Sequence, residues 1–128
     1  MALRFYYFNS THWDREWYLP MENYRRYLVD TADGILKALE NERGWVVILD
    51  ERGENITSVE FAEKLNACDR KIVLVIGGAF GFTDEVRKRA DYLLALSKFT
   101  VTHEMARFFL VEQLYRACTI IAGKKYHH

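Results

Sequence analysis

The amino-acid sequence predicts a single α/β domain, with a mostly parallel sheet and helices on both faces. Two short apolar runs, Trp45 to Leu49 and Ile72 to Ile76, are rich in β-branched residues and are typical of strands buried on both faces. Segments with the three- and four-residue apolar spacing of amphipathic helices alternate with these runs. Because parallel strands need long crossovers, alternation of this kind favours a parallel sheet joined by helices.

In chain order, the first expected strand is Leu3 to Phe8, with the sequence LRFYYF. A helical period follows from about Met21 to Glu40, with a potential break at Asp33-Gly34. The buried strand Trp45 to Leu49 comes next, and Asp50 to Gly53 is predicted to form a turn.

The second half of the chain has clear helix-start signals. Thr57 to Glu60 has the pattern of a capping box at the start of a helix that runs to about Ala67. Thr83 is the expected cap of a short helix. The other predicted elements are the strand Ile72 to Ile76, the helix Asp84 to Ala90, the strand Tyr92 to Leu96 and the helix Thr102 to Ala122, with Gly123 as its C-terminal cap.

Composition excludes several classes of protein. The 128 residues, half of them apolar, suffice for one modest core. Eighteen basic and eighteen acidic side chains cancel, so no global positive field attracts nucleic acid, and any RNA-binding surface must be local or shared between subunits. No apolar run is long enough for a membrane span and no signal-peptide pattern opens the chain, so we expect a cytoplasmic protein without a membrane partner. Two cysteines predict neither a disulfide framework nor a metal site.

The ends of the predicted strands are the places to expect a ligand, because ligands bind beyond the carboxyl ends of parallel strands. Three segments satisfy this condition: Leu49 to Gly53, Ile76 to Gly81 and Leu96 to Thr100. Glycines in the second segment would let backbone amides approach a ligand, but the pattern is neither a Walker A loop nor a dinucleotide fingerprint. Glycines that serve only a tight turn explain it equally well.

Each of the remaining polar residues, considered alone, is a weak indication of function. His103, in the first turn of the last helix, suits a capping or surface role at least as well as a catalytic base. Arg107 and Arg116 lie on the same helix, where a solvated face explains them. The basic tail from Lys124 to His128 suits contact with a phosphate backbone or a solvated terminus. The aromatic content of 15% favours a stacking surface or a dimer interface.

From Val46 onward the sequence resembles the ribosomal RNA large subunit methyltransferase H family, within the knotted SPOUT methyltransferases. The similar stretches occur in the same order and at the same spacing over about 83 residues. They are VVILDERG (46–53), SVEFAEKL (58–65), VLVIGGAFGF (73–82), ADYLLALSKFTVTHEMARFFLVEQLYRA (90–117) and the terminal KKYHH.

This resemblance implies a homodimeric enzyme that uses S-adenosylmethionine to methylate N3 of a pseudouridine in 23S rRNA, on the assembled ribosome. It also implies a C-terminal part threaded as a trefoil knot. The cofactor-binding residues it implies are Leu49, Gly77, Gly78, Leu96, Ser97, Lys98, Phe99, Thr100 and Val101. These positions fall on the same three strand ends that strand placement selects.

The resemblance also implies catalytic residues near the end of the chain. Tyr126 and His127, with His128, match a tail that approaches the cofactor of the partner subunit. His103, Tyr126 and His127 are the candidate acceptors of the N3 proton, without a ranking among them. Arg107 or Arg116 would orient RNA phosphates. The alternative is a catalytically silent module that binds RNA or the ribosome.

Residues 1–45 depart from this family, because about one strand-and-loop unit is missing. Residues 10–30 (STHWDREWYLPMENYRRYLVD) resemble instead the opening motif of family 38 α-mannosidases, in which the positions of His12 and Asp14 bind zinc. The other zinc ligands and the nucleophile would need a far larger chain, so we expect no metal site. A helix and its cap explain this stretch, and a gene fusion near Trp45 is the other explanation.

Overall fold

A parallel sheet of four strands forms the centre of the structure. The computed structural model describes residues 3–7, 32–78 and 81–128. Neighbouring strands are parallel and follow the order β1-β3-β2-β4. The strands are β1 (Leu3–Tyr7), β2 (Trp45–Asn55), β3 (Ile72–Ile76) and β4 (Tyr92–Ala95). The predicted parallel α/β sheet is confirmed, whereas the trefoil knot stays a prediction.

Helices cover both faces of this sheet, as predicted. They are α1 (residues 32–39), α2 (Ser58–Ala67), α3 (Asp84–Arg89) and α4 (His103–Ile121). Successive residues of a strand point to opposite faces, so each central strand contributes to two cores. One core contains α1, α3 and the side chains of Val46, Ile48, Val73 and Val75. The other contains α2, α4 and the side chains of Val47, Ile72, Leu74 and Ile76.

Threonine caps start α2, α3 and α4. Thr57 forms the predicted capping box: its hydroxyl accepts from the backbone N–H of Glu60 at 3.2 Å, and the Glu60 carboxylate accepts from the backbone N–H of Thr57 at 2.7 Å. The Thr57 hydroxyl also donates to the Glu60 carboxylate, at 2.8 Å. The bonds that this carboxylate accepts from the Thr57 backbone and then from the Thr57 hydroxyl lower the pKa of Glu60. Thr83, as predicted, and Thr102 cap α3 and α4 through their hydroxyls, which accept from the backbone N–H groups of Val86 and Met105.

The C-terminal end of α4 reverses the direction of the chain. Gly123 has a φ of 63°, a left-handed conformation that favours glycine. The backbone N–H of Gly123 donates to Ile120 and that of Lys124 donates to Thr119, which together form a Schellman motif. The last residues therefore fold back towards the outer surface of α4.

One local prediction is wrong. Asp50 to Gly53 do not form a turn: β2 keeps its direction and pairs with β4 again at Glu54 and Asn55. Both Leu49 and Glu54 lie opposite Leu94, so residues 50–53 form a bulge. Asp33 and Gly34 lie in the first turn of α1 as described, and the residues that the expected break would separate from α1 lie outside the described ranges.

Some predictions concern residues outside the described ranges. They include most of the Met21 to Glu40 helix, the His12 and Asp14 positions, and Ala79-Phe80 of the glycine segment. Within the described ranges, no helix has the length and apolarity needed to cross a membrane.

Candidate functional site

A cleft of about 1030 Å³ lies beyond the carboxyl ends of three adjacent strands, β3, β2 and β4. The chain contributes to it where β2 bulges, where β3 ends in glycines, and where β4 leads into α4. The start of α2 and the first three turns of α4 complete its walls. The three strand ends selected from the sequence therefore meet in one concave site.

Eight of the nine predicted cofactor-binding residues line this cleft. They are Leu49, Gly77, Gly78, Leu96, Ser97, Phe99, Thr100 and Val101. Lys98 differs, because it is exposed and does not contribute to the lining. Its predicted role in cofactor binding gains no support from its position.

The β2 bulge forms one wall and is held by a buried ion pair. The side chain of Asp50 is 2% exposed, and its carboxylate accepts from Nε of Arg87 at 2.8 Å and from the backbone N–H of Arg52 at 2.9 Å. Burial alone would lower the pKa of Arg87, but its bonds to Asp50 and Asp84 outweigh burial and raise that pKa. The pair joins β2 to α3 across 37 positions of sequence. Sequence reasoning missed it because nothing local identifies Arg87 as the partner.

The glycine segment after β3 has a structural requirement of its own. A Cβ atom at Gly77 would lie 2.7 Å from the Phe82 ring, so only glycine lets that ring pack against the strand end. Gly81 has a φ of 69°, which also favours glycine. Packing and backbone conformation thus explain two of the glycines, while the open side of the segment faces the cleft.

The segment between β4 and α4 forms the mouth of the cleft. The hydroxyl of Ser97 accepts from the backbone N–H of Phe99 at 2.9 Å, and the Phe99 ring is 85% exposed. His103 is the first residue of α4 and lines the cleft. Of the four predicted catalytic residues, only His103 reaches the cleft of its own chain.

The other three predicted catalytic residues form a second cluster, at the C-terminal end of α4. A ring nitrogen of His127 lies 3.3 Å from Nη1 of Arg116, and the Arg116 guanidinium lies 4.8 Å from the centre of the Tyr126 ring. The Tyr126 ring also packs edge-on against Tyr115, with 4.9 Å between ring centres. The structure therefore brings Arg116, Tyr126 and His127 together, but away from His103.

Glu112 lies at the centre of this second cluster and was also missed. Its carboxylate accepts from Nη2 of Arg116 at 2.6 Å and from the Tyr126 hydroxyl at 3.3 Å. The hydrogen bond from Arg116 is the main reason why the pKa of Glu112 is lowered. The spacing of Glu112 and Arg116, four residues apart on a predicted helix, is the signal that could have identified the pair.

The cleft can hold a ligand the size of a nucleoside derivative. Its volume is at the upper end of the range for small-molecule sites, about 300–1,000 Å³. Aromatic residues Phe61, Phe82 and Phe109 line it, together with two acidic residues, Asp50 and Glu51. Among residues 32–78 and 81–128, no group of three metal-ligating side chains occurs.

Comparisons with known proteins relate the chain to one family. Residues 19–127 match the sequence model of a family described as "Predicted SPOUT methyltransferase". Curated proteins named ribosomal RNA large subunit methyltransferase H are also similar. The protein of Cytophaga hutchinsonii is 51% identical over 87 residues, which are 65% of this chain and 56% of the relative. That of Geotalea daltonii is 49% identical over 102 residues, which are 76% of this chain and 65% of the relative. The chain thus spans roughly half to two thirds of the length of these relatives.

Proposed function

The chain belongs to the SPOUT methyltransferase family, and from this premise we propose that it is an S-adenosylmethionine-dependent methyltransferase of large-subunit ribosomal RNA. The names of its curated relatives support ribosomal RNA as the substrate. The proposed target is N3 of a pseudouridine in 23S rRNA, modified on the assembled ribosome in the cytoplasm. The proposed enzyme is a homodimer whose C-terminal part carries the trefoil knot.

One observation carries the proposal: the three segments expected to bind the cofactor line a single cleft. They are separate in the sequence, at Leu49, at Gly77-Gly78 and at Leu96 to Val101, and they follow three neighbouring strands. Large concave pockets are few in a protein and are typical of ligand-binding sites.

The lining of the cleft suits S-adenosylmethionine. The adenine and ribose need an apolar slot beside backbone donors and acceptors, and the cleft is lined by Gly77 and Gly78, which have no side chain to cover their backbone, and by the residues after β4. The sulfonium centre is cationic, and aromatic faces such as those of Phe82 and Phe109 attract cations. When bound, the cofactor supplies an electrophilic methyl group. The residues of the cleft hold it in line with the nucleophile, and this alignment is the main catalytic task.

The nucleophilic nitrogen must lose a proton before or during attack, and His103 lies where a base of the same chain could accept it. Tyr126 and His127 are the alternative acceptors. They lie next to Arg116, whose guanidinium suits contact with RNA phosphates. A formal net charge of zero fits an enzyme whose substrate is presented by a large ribosomal surface.

Two features support a homodimer. The face of α4 away from the cleft exposes large apolar side chains of a kind that monomers usually bury: Phe108, Val111 and Tyr115. The Tyr126–His127 tail does not line the cleft of its own chain, so a second copy is needed to bring a tail and a cleft together. We propose that α4 pairs with α4 of a second copy.

The first experiment is a calorimetric titration of the purified protein with S-adenosylmethionine, after its mass in solution has been determined. We expect saturable binding by a dimer. Gly78→Trp should abolish binding, because it fills the cleft beside β3. Gly34→Trp is the matched control, since Gly34 is exposed on α1 and a Cβ there meets nothing within 4 Å. This variant should bind like the wild type.

Binding that Gly78→Trp abolishes would justify an assay of methyl transfer to ribosomes that contain the unmethylated pseudouridine. A folded wild-type protein that ignores the cofactor would overturn the enzyme proposal. It would leave a silent RNA-binding module as the better account.

A further inference from the structure

The carboxylate of Glu112 lies between the cleft and the C-terminal tail and bonds towards both. On the tail side it accepts from Arg116 through Nη2 at 2.6 Å and Nε at 3.1 Å, and from the Tyr126 hydroxyl at 3.3 Å. On the cleft side it accepts from Nε2 of Gln113 at 2.8 Å. Both carboxylate oxygens are therefore engaged.

The hydrogen bonds continue from Gln113 into the wall of the cleft. The Ser58 hydroxyl donates to Oε1 of Gln113 at 2.6 Å, and both of these residues line the cleft. Glu112 itself does not line it. A short chain of hydrogen bonds thus connects Ser58, at the start of α2, to the tail that follows α4.

The ion pair within this arrangement contributes little to the stability of α4. Glu112 and Arg116 are spaced four residues apart and their side chains are 29% and 24% exposed, and ion pairs of this kind contribute little to stability. Their distinct effect is on geometry. The Arg116 guanidinium donates to Glu112, lies over the Tyr126 ring and contacts His127. These contacts fix the side chains of Tyr126 and His127, which lie beyond the end of α4.

We propose that Glu112 is a positioning residue, whose carboxylate fixes Tyr126 and, through Arg116, His127 relative to the cleft wall formed by Gln113 and Ser58. The role of these tail residues in methyl transfer rests on the proposed function. The ionised carboxylate of Glu112 accepts all of its bonds, and the bond from Arg116 favours this form, which lowers its pKa.

Glu112→Gln tests this proposal, because an amide keeps the shape of the side chain but places an N–H group where only acceptors fit. We expect kcat at saturating substrates to fall about 100-fold, the effect of misplacing catalytic groups by roughly 1 Å. The Kd for S-adenosylmethionine should stay within about twofold of wild type, since Glu112 does not line the cleft. Glu112→Asp keeps the charge and should restore part of the loss. Glu63→Gln, at an exposed position of α2, is the control and should behave like the wild type.

A second readout does not depend on activity. Backbone amide hydrogen exchange of residues 124–128 should become at least about tenfold faster in Glu112→Gln than in Glu63→Gln, because the tail loses its anchor. Unchanged tail exchange would overturn the proposal even if the protein proved to have no methyltransferase activity. An active wild type with an equally active Glu112→Gln variant would overturn it as well, and so would a loss confined to cofactor binding. Failure of the wild type to bind S-adenosylmethionine would instead count against the proposed function.

Discussion

Replacement of Arg87 by methionine tests whether the cleft wall depends on its buried ion pair. The side chains of Asp50 and Arg87 are 2% and 16% exposed and lie 2.8 Å apart. The variant leaves the Asp50 carboxylate buried with the backbone N–H of Arg52 as a donor. Removing one partner of a buried pair costs about 3–5 kcal/mol. Since this pair borders an open cleft, we expect a loss of free energy of unfolding near the lower end, about 3 kcal/mol.

The chain provides a matched control in Arg52→Met. Arg52 pairs with Asp84 at 3.5 Å, but these side chains are 63% and 74% exposed. Arg87 also pairs with Asp84, at 3.1 Å, so both variants remove a guanidinium from the same carboxylate. An exposed pair contributes about 0–1 kcal/mol, and Arg52→Met should lose no more than that. The double variant Asp50→Asn with Arg87→Met removes both charges and should recover much of the loss.

The measurement is urea unfolding followed by circular dichroism, at one fixed protein concentration because dimerisation would couple stability to concentration. The shift in midpoint at constant m-value gives the change in free energy of unfolding. Equal, small losses in Arg87→Met and Arg52→Met would refute the reasoning. A double variant less stable than Arg87→Met alone would refute it too.

Two further predictions concern other parts of the fold. A Cβ at Gly53 would lie 2.6 Å from the backbone carbonyl of Leu93, so Gly53→Ala should force β2 from β4 and cost about 1–3 kcal/mol. Gly34→Ala, in open space on α1, should instead stabilise the protein by about 0.5–1 kcal/mol. Thermal unfolding of both variants then distinguishes the steric clash at Gly53 from the effect of replacing any glycine by alanine. Burial and then the hydrogen bond to Glu54 raise the pKa of Tyr92. The contribution of Tyr92 to stability should therefore be complete below pH about 10, its unfolded pKa, and decrease as the pH rises towards the folded value. Tyr92→Phe should flatten this alkaline decrease in unfolding titrations, and an unchanged slope would contradict the assignment.

The elements of this fold could be predicted because their signals are local. The β-branched runs of β2 and β3 and the threonine caps of α2 and α3 depend on neighbouring residues, and the structure confirms them. Whether the chain turns after a strand depends less on neighbouring residues and more on contacts with other elements. Asp50 to Gly53 have turn-forming residues, but Glu54 and Asn55 pair with β4 again, so tertiary contacts make these residues a bulge within β2 instead of a turn that ends it.

The segments that line the candidate site could be predicted from the sequence, but the side-chain contacts between them could not. Parallel strands place their carboxyl ends together, so the sequence by itself determined that Leu49, Gly77 and Leu96 would share an edge. Only the tertiary structure decided that Arg87 would meet Asp50 and that Glu112 would join Tyr126 to the wall of the cleft. Spacing along one chain specifies helices and strand ends, whereas partners from different elements depend on how those elements pack.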